Sequence, residues 1–112
     1  MTINARIESA LSGVNCPVGF QQLPEDFFTS LPRITYFCTL ENPEYWVDDT
    51  EAARVYYVQV DVWHNGDYST LVASVQSAMQ LAGFGRGSAQ DIYEAESRIY
   101  HKLMRFTYTE VL

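Results

Sequence analysis

Four places in this chain carry residue types whose spacing could do chemistry. The first, Gly83-Phe84-Gly85-Arg86-Gly87-Ser88, has the glycine density of a phosphate cradle. Such cradles work because they precede a helix and aim its free N–H groups at the phosphate. Here the glycines follow a helical pattern and precede a strand-like one, so the helix dipole has the wrong sign, and no Lys-Ser/Thr pair completes a nucleotide loop. The stretch reads as a helix cap running into a turn. The second place, Asp61, His64 and Asp67, offers metal-type donors across a strand end and a turn, with no second histidine nearby. Zinc wants more nitrogen or sulfur than this, and hard ions want convergent oxygens. The third is His101, between Tyr100 and Lys102. A general base there needs a nucleophile or acid held within hydrogen-bond reach, and the sequence nominates none, so the reading is a partly exposed strand histidine. The fourth is the pair Cys16 and Cys38, which lacks metal-type spacing and reads as two reduced thiols packed as small apolar groups. Other Ser/His/Asp or Cys/His combinations carry no weight without a local context such as a nucleophile elbow. The expectation is a protein with no catalytic residue, no cofactor, no metal and no small-molecule ligand.

The elements that must position these groups follow from hydrophobic periodicity. Ile3, Ile7, Ala10 and Leu11 form a helical stripe, with Thr2 as N-cap and Gly13 as stop. From Asn15 to Pro32 the pattern breaks down, with prolines at 17, 24 and 32, and reads as an irregular excursion with one helical turn near 25–31. Residues 33–40 are β-branched and aromatic, a first strand. Residues 53–63 alternate, Tyr56, Val58, Val60 and Val62 on one face and Tyr57, Gln59, Asp61 and Trp63 on the other, wetter one. Residues 68–82 place Tyr68, Leu71, Val72, Val75, Ala78, Met79 and Ala82 on one helical face, closed by Gly83. Strands are expected at 90–96 and 98–109, the latter with Tyr100, Met104, Phe106 and Tyr108 on one face and His101, Arg105 and Thr107 on the other. The implied fold class is α+β: a four-stranded antiparallel sheet with two helices packed on one face, in α-β-β-α-β-β order, as a single domain over 1–112.

Composition sets the outer limits. The 112 residues are 47% hydrophobic and 19% charged, which supplies enough apolar material to offset chain entropy and excludes a disordered chain. No apolar run reaches the ~18–20 residues needed to span a bilayer, and the N-terminus shows no long apolar stretch behind a basic start, so a soluble protein made in the cytosol is expected. Fourteen acids against seven bases give a net charge of −7. That argues against a protein that grips nucleic acid, which needs a basic stripe to release counterions.

Most of the acidic excess sits in one short segment. Glu41, Glu44, Asp48, Asp49 and Glu51 occur with no base among them, and they flank Tyr45, Trp46 and Val47. Two readings stand open. The aromatics tuck back onto the sheet as part of a long hairpin, or they form a projecting arm that meets another subunit, since Trp and Tyr are common interface anchors. The acids keep the segment soluble in either case.

The ordered series Leu31-Pro-Arg-Ile-Thr-Tyr36, Tyr57-Val-Gln-Val-Asp-Val-Trp63, a helix ending in Gly83-Phe84, Asp91-Ile-Tyr-Glu94 and Tyr100-His-Lys-Leu-Met-Arg-Phe106 resembles the tail completion or tail terminator proteins of long-tailed bacteriophages and related prophages. The resemblance runs over roughly residues 1–110 in order and spacing. It implies a structural virion protein that forms a homo-oligomeric ring, typically a hexamer, at the head-proximal end of the tail tube. There it ends tube growth and docks the head completion or connector protein, while DNA passes without specific binding. It transfers no catalytic residues. On this reading Tyr45, Trp46 and Val47 are candidate assembly contacts, and the five acids from Glu41 to Glu51 belong to a DNA-repelling lumen or a solvated segment. Two alternatives stay open. One is another head–tail connector or minor capsid protein; the other is a small ligand-binding or enzymatic domain using the polar sheet face, with Tyr57, Gln59, Asp61, Trp63, His101 and Arg105.

Overall fold

The structure, a computed structural model, describes residues 1–20, 31–96 and 98–112. Its elements are α1 (Ile3–Leu11), β1 (Val18–Phe20), β2 (Arg33–Val47), β3 (Thr50–His64), α2 (Ser69–Leu81), β4 (Gly85–Glu94) and β5 (Ile99–Val111). The sheet has five strands in the order β1-β2-β3-β5-β4. All neighbours are antiparallel except β1, which runs parallel to β2.

The expected four-stranded antiparallel sheet in α-β-β-α-β-β order is therefore corrected to a five-stranded mixed sheet. The added strand is three residues, Val18-Gly19-Phe20, too short to show a period and set in a proline-rich stretch. It is tied to β2 by the Ile34 N–H donating to the Pro17 carbonyl at 2.9 Å, and Phe20 packs its ring on Tyr36. The helical turn expected near 25–31 lies, apart from Leu31, outside the described residues.

Two strands also run further than their composition suggests. β2 continues seven residues past Leu40, through Pro43, to Val47. A proline has no N–H for a ladder and is tolerated at bulges and edges. Here β1 ends opposite Tyr36, so the outer side of β2 has no described strand beyond that point, and the register shifts next to Pro43. β4 starts at Gly85, not near 90, and carries a bulge between Arg86 and Ala89. A Cβ on Gly87 would lie 3.1 Å from the Arg105 carbonyl oxygen, so that glycine serves close strand approach and not a free turn.

The helices form where the stripes place them. Thr2 Oγ1 accepts from the Ala5 N–H at 3.1 Å and caps α1. α2 ends in a paired closure: the Gly83 N–H donates to Gln80 and the Phe84 N–H to Met79, with Gly83 at φ +95. This is the Schellman arrangement, and buried Phe84 supplies its hydrophobic contact. Both helices cover one sheet face. Ile7 and Leu11 from α1 and Val75 and Met79 from α2 pack on Ile34, Tyr36, Tyr56, Val58, Val60, Val62, Met104 and Phe106. The period-2 faces of β3 and β5 thus point as their alternation dictates.

Strand lengths give the molecule its shape. β4 stops opposite Thr107, level with Tyr57, and β5 stops opposite Ala53. The sheet therefore narrows to three strands and then to the two-stranded tip of the β2–β3 hairpin. The extents are 53 × 25 × 23 Å. The radius of gyration is 15.3 Å, against about 13 Å for a compact chain of this length.

Candidate functional site

The tip of that hairpin is built by a tight turn. Val47 pairs with Thr50, leaving Asp48 and Asp49 as a two-residue loop with φ of 50 and 61. Two consecutive left-handed residues make the type I′ geometry that matches the twist of paired strands, and aspartate tolerates it better than most non-glycine residues. The structure gives a long hairpin, and at its two-stranded tip Tyr45, Trp46 and Val47 stay 66%, 60% and 61% exposed. Val111 and Leu112, also exposed, lie at the same level, with the Leu112 N–H donating to the Ala52 carbonyl at 2.9 Å. Five large apolar groups thus gather at one end of the molecule.

The acids around them divide by partner. Glu51 takes a two-pronged contact from Arg54, at 2.7 and 2.5 Å, and these bonds hold its carboxyl below the usual carboxylate range. Glu41 lies 4.0 Å from the same guanidinium. Glu44 accepts from the Asn42 amide at 3.2 Å. Asp48 and Asp49 have no basic partner among the described residues.

A second constellation lies on the sheet face opposite the helices. His101, expected to be partly exposed, is buried at 8% exposure. The correction comes from register. His101 stands directly opposite Trp63, and the two rings stack at 3.7 Å and 12°. Asp61, two residues before Trp63 on the same face, is diagonal to His101, and its Oδ1 accepts from His101 Nε2 at 2.8 Å. Gln59 Nε2 donates to the same carboxylate, and Trp63 Nε1 donates to Thr35 Oγ1 at 3.0 Å. Three strands thus supply one buried polar network. Period-2 parity already put Gln59, Asp61 and Trp63 on one face; the missing information was the pairing of β3 with β5.

An Asp–His pair can orient an imidazole as a base. Here one ring face is covered by indole, Nε2 is spent on Asp61 and the residue is buried, so a substrate has little of the ring to reach. The remaining groups named from sequence are not brought together. His64 Nδ1 accepts from the Gly66 N–H, and Asp67 accepts from the N–H and hydroxyl of Ser69 at the start of α2, which lowers its pKa. No group of three or more His, Cys, Asp or Glu able to hold a metal ion occurs among the described residues. Cys16 and Cys38 are separate free thiols, each pushed up in pKa by burial.

Sequence reasoning missed a cluster at the other end of the sheet. Tyr100 lies between Tyr68, on which it stacks, and Tyr93, to which it is tilted, with ring centroids at 6.1 and 4.7 Å. The Tyr68 hydroxyl donates to Asp91, which also accepts from Lys102 Nζ at 3.2 Å. Burial and then the bond to Asp91 push the Tyr68 phenol up to about 12, while Tyr68 and Lys102 hold Asp91 low. The tyrosines were legible one at a time, but only the β4–β5 pairing brings them together. No helix among the described residues is long and apolar enough to cross a membrane. Compared with protein-family models and with curated proteins, the chain has no match.

Proposed function

We propose that the chain is a structural assembly protein of the phage tail-terminator kind, working as a ring of identical copies at the head-proximal end of a tail tube. The observation that carries this reading is the tapering hairpin with Tyr45, Trp46 and Val47 exposed at its tip. Burying a side chain of that size contributes about 1.5–3 kcal/mol, and aromatic groups on a protruding element are typical anchors. A protrusion that meets a different surface on the next copy is a heterologous contact, which closes into a ring when the rotation allows it. The hexameric number and the tube-end position come from the resemblance. The role calls on no catalytic group, metal or cofactor. Its partners are further copies, the tail tube protein and the head connector, with DNA sliding past acids that repel its phosphates. The test mixes the purified chain with the tail tube protein encoded beside it and images the product by electron microscopy. Rings closing one end of each tube are expected. Tubes left open and still growing, or a gene embedded among metabolic enzymes, contradict the proposal.

A further inference from the structure

We infer that the hairpin tip of one copy docks on the β4 bulge of the next copy, with Asp48 and Asp49 received by Arg86 and Arg105 and Trp46 by the hollow beside Gly87. The inference rests on the assembly reading above and names the receiving surface.

Charge complementarity points there. Among the described basic residues, Arg6 faces Glu110, Arg54 faces Glu51 and Glu41, and Lys102 faces Asp91. Arg86, Arg98 and Arg105 are exposed and form no ion pair with a carboxylate among the described residues, and of these Arg86 and Arg105 lie together. They flank the Gly87–Ser88 bulge. Arg86 pairs with Phe106, the neighbour of Arg105, so the two guanidinium groups leave the sheet on opposite faces of the same edge. A hairpin tip arriving edge-on meets both.

The same bulge opens a receptacle for an aromatic ring. A cavity of about 340 Å³ lies on the face away from the helices, lined by Leu40, Tyr57, Gly87, Ser88, Arg105 and Thr107. Its walls are mostly apolar, Leu40 is exposed beside it, and Gly87 contributes no side chain to fill it. An indole entering it lies against the Arg105 guanidinium, a pairing favoured by the ring quadrupole.

The tip cannot make this contact within its own chain. Arg105 pairs with Gln59, nine residues along β3 from Thr50 at the turn. At ~3.3 Å per residue the two sites are about 30 Å apart on a rigid sheet. Asp48 and Asp49 therefore reach Arg86 and Arg105 only in another copy. Because donor and receiver are different surfaces, each copy gives one contact and takes one, as a ring requires.

The experiment is intermolecular paramagnetic broadening on the full chain. A nitroxide is placed at Thr50→Cys in a Cys16→Ser/Cys38→Ser background, and this copy is mixed with ¹⁵N-labelled wild-type chain. Selective loss of the amide signals around Arg86–Ser88 and Arg105 is expected. The loss should vanish with Arg86→Glu/Arg105→Glu in the labelled copy, and in about 1 M salt, where charges more than ~3 Å apart are screened. Broadening confined to another surface overturns the docking site while leaving the hairpin as an interface. No broadening at the highest soluble concentration overturns the docking site and the self-assembly reading together. Asp48→Asn/Asp49→Gly in the nitroxide-bearing copy keeps the turn and removes its charge; broadening that persists unchanged in that variant also overturns the inference.

Discussion

Replacing Asp61 with alanine should cost about 3 kcal/mol of stability, the upper end for orphaning a buried hydrogen-bonding group. Asp61 is only 4% exposed, and its carboxylate accepts from His101 at 2.8 Å and from Gln59 at 3.1 and 3.2 Å. Its removal orphans the His101 donor in a buried site, and an unsatisfied buried group costs about 1–3 kcal/mol. Gln59 is half-buried and can turn to solvent, so it adds little. Against a total of roughly 6–17 kcal/mol for a domain of this length, that is a large fraction. At about 4 °C or more per kcal/mol, the melting midpoint should fall by about 12 °C or more. Asp61→Asn, which keeps an acceptor, should lose about half as much or less. Removing both partners in Asp61→Ala/His101→Ala leaves no orphan, so the double variant should lose less than the sum of the singles, by about 1 kcal/mol or more. Urea and thermal unfolding followed by circular dichroism read all four corners of the cycle. Additive single effects, or an Asp61→Ala variant within about 0.5 kcal/mol of wild type, would refute the reasoning and return His101 to an open surface site.

Three further outcomes are expected. Gly83→Ala forces an alanine to φ +95 and should destabilise by about 1–2 kcal/mol in the same unfolding assay, with the amides of residues 83 and 84 exchanging faster. Asp91→Ala should lower the Tyr68 phenol from about 12 while leaving it above 10, because burial is the larger cause, as read by ¹³C-tyrosine NMR titration. By linkage, the depressed Asp91 contributes stability above its unfolded value and loses it as pH falls through the depressed one. The raised Tyr68 contributes below about 10 and loses that contribution as pH rises toward about 12. Asp48→Asn/Asp49→Gly installs the dipeptide a type I′ turn favours, so amide exchange over residues 46–51 should slow; faster exchange there would contradict the turn assignment.

What was legible in the sequence is what repeats with a period. Val58, Val60 and Val62 face the core with Val75 and Met79 above them, as period 2 and period 3.6 require. Thr2 and Gly83 close their helices for local reasons that a few residues encode. What failed depended on neighbours in space. Val18-Gly19-Phe20 is a strand only because β2 lies beside it. Pro43 continues a strand because that edge has no described ladder partner to satisfy, and Gly87 marks a bulge because β5 passes close behind it. The burial of His101 is hidden for the same reason: it is set by Trp63 and Asp61 on another strand, 38 and 40 residues away. The hairpin tip was visible as a cluster of aromatics among acids, while its exposure came from strand lengths that composition does not reveal.

The central claim, that the exposed hairpin assembles this protein on a tail tube, is tested most directly by tail-length distributions. Particles should be imaged from a phage genome in which the gene carries Tyr45→Ala/Trp46→Ala, after circular dichroism has shown the purified variant to be folded. The account predicts tails of variable length, or tails that fail to join heads. Tails of a single length carrying heads, at the wild-type yield of infectious particles, would contradict it.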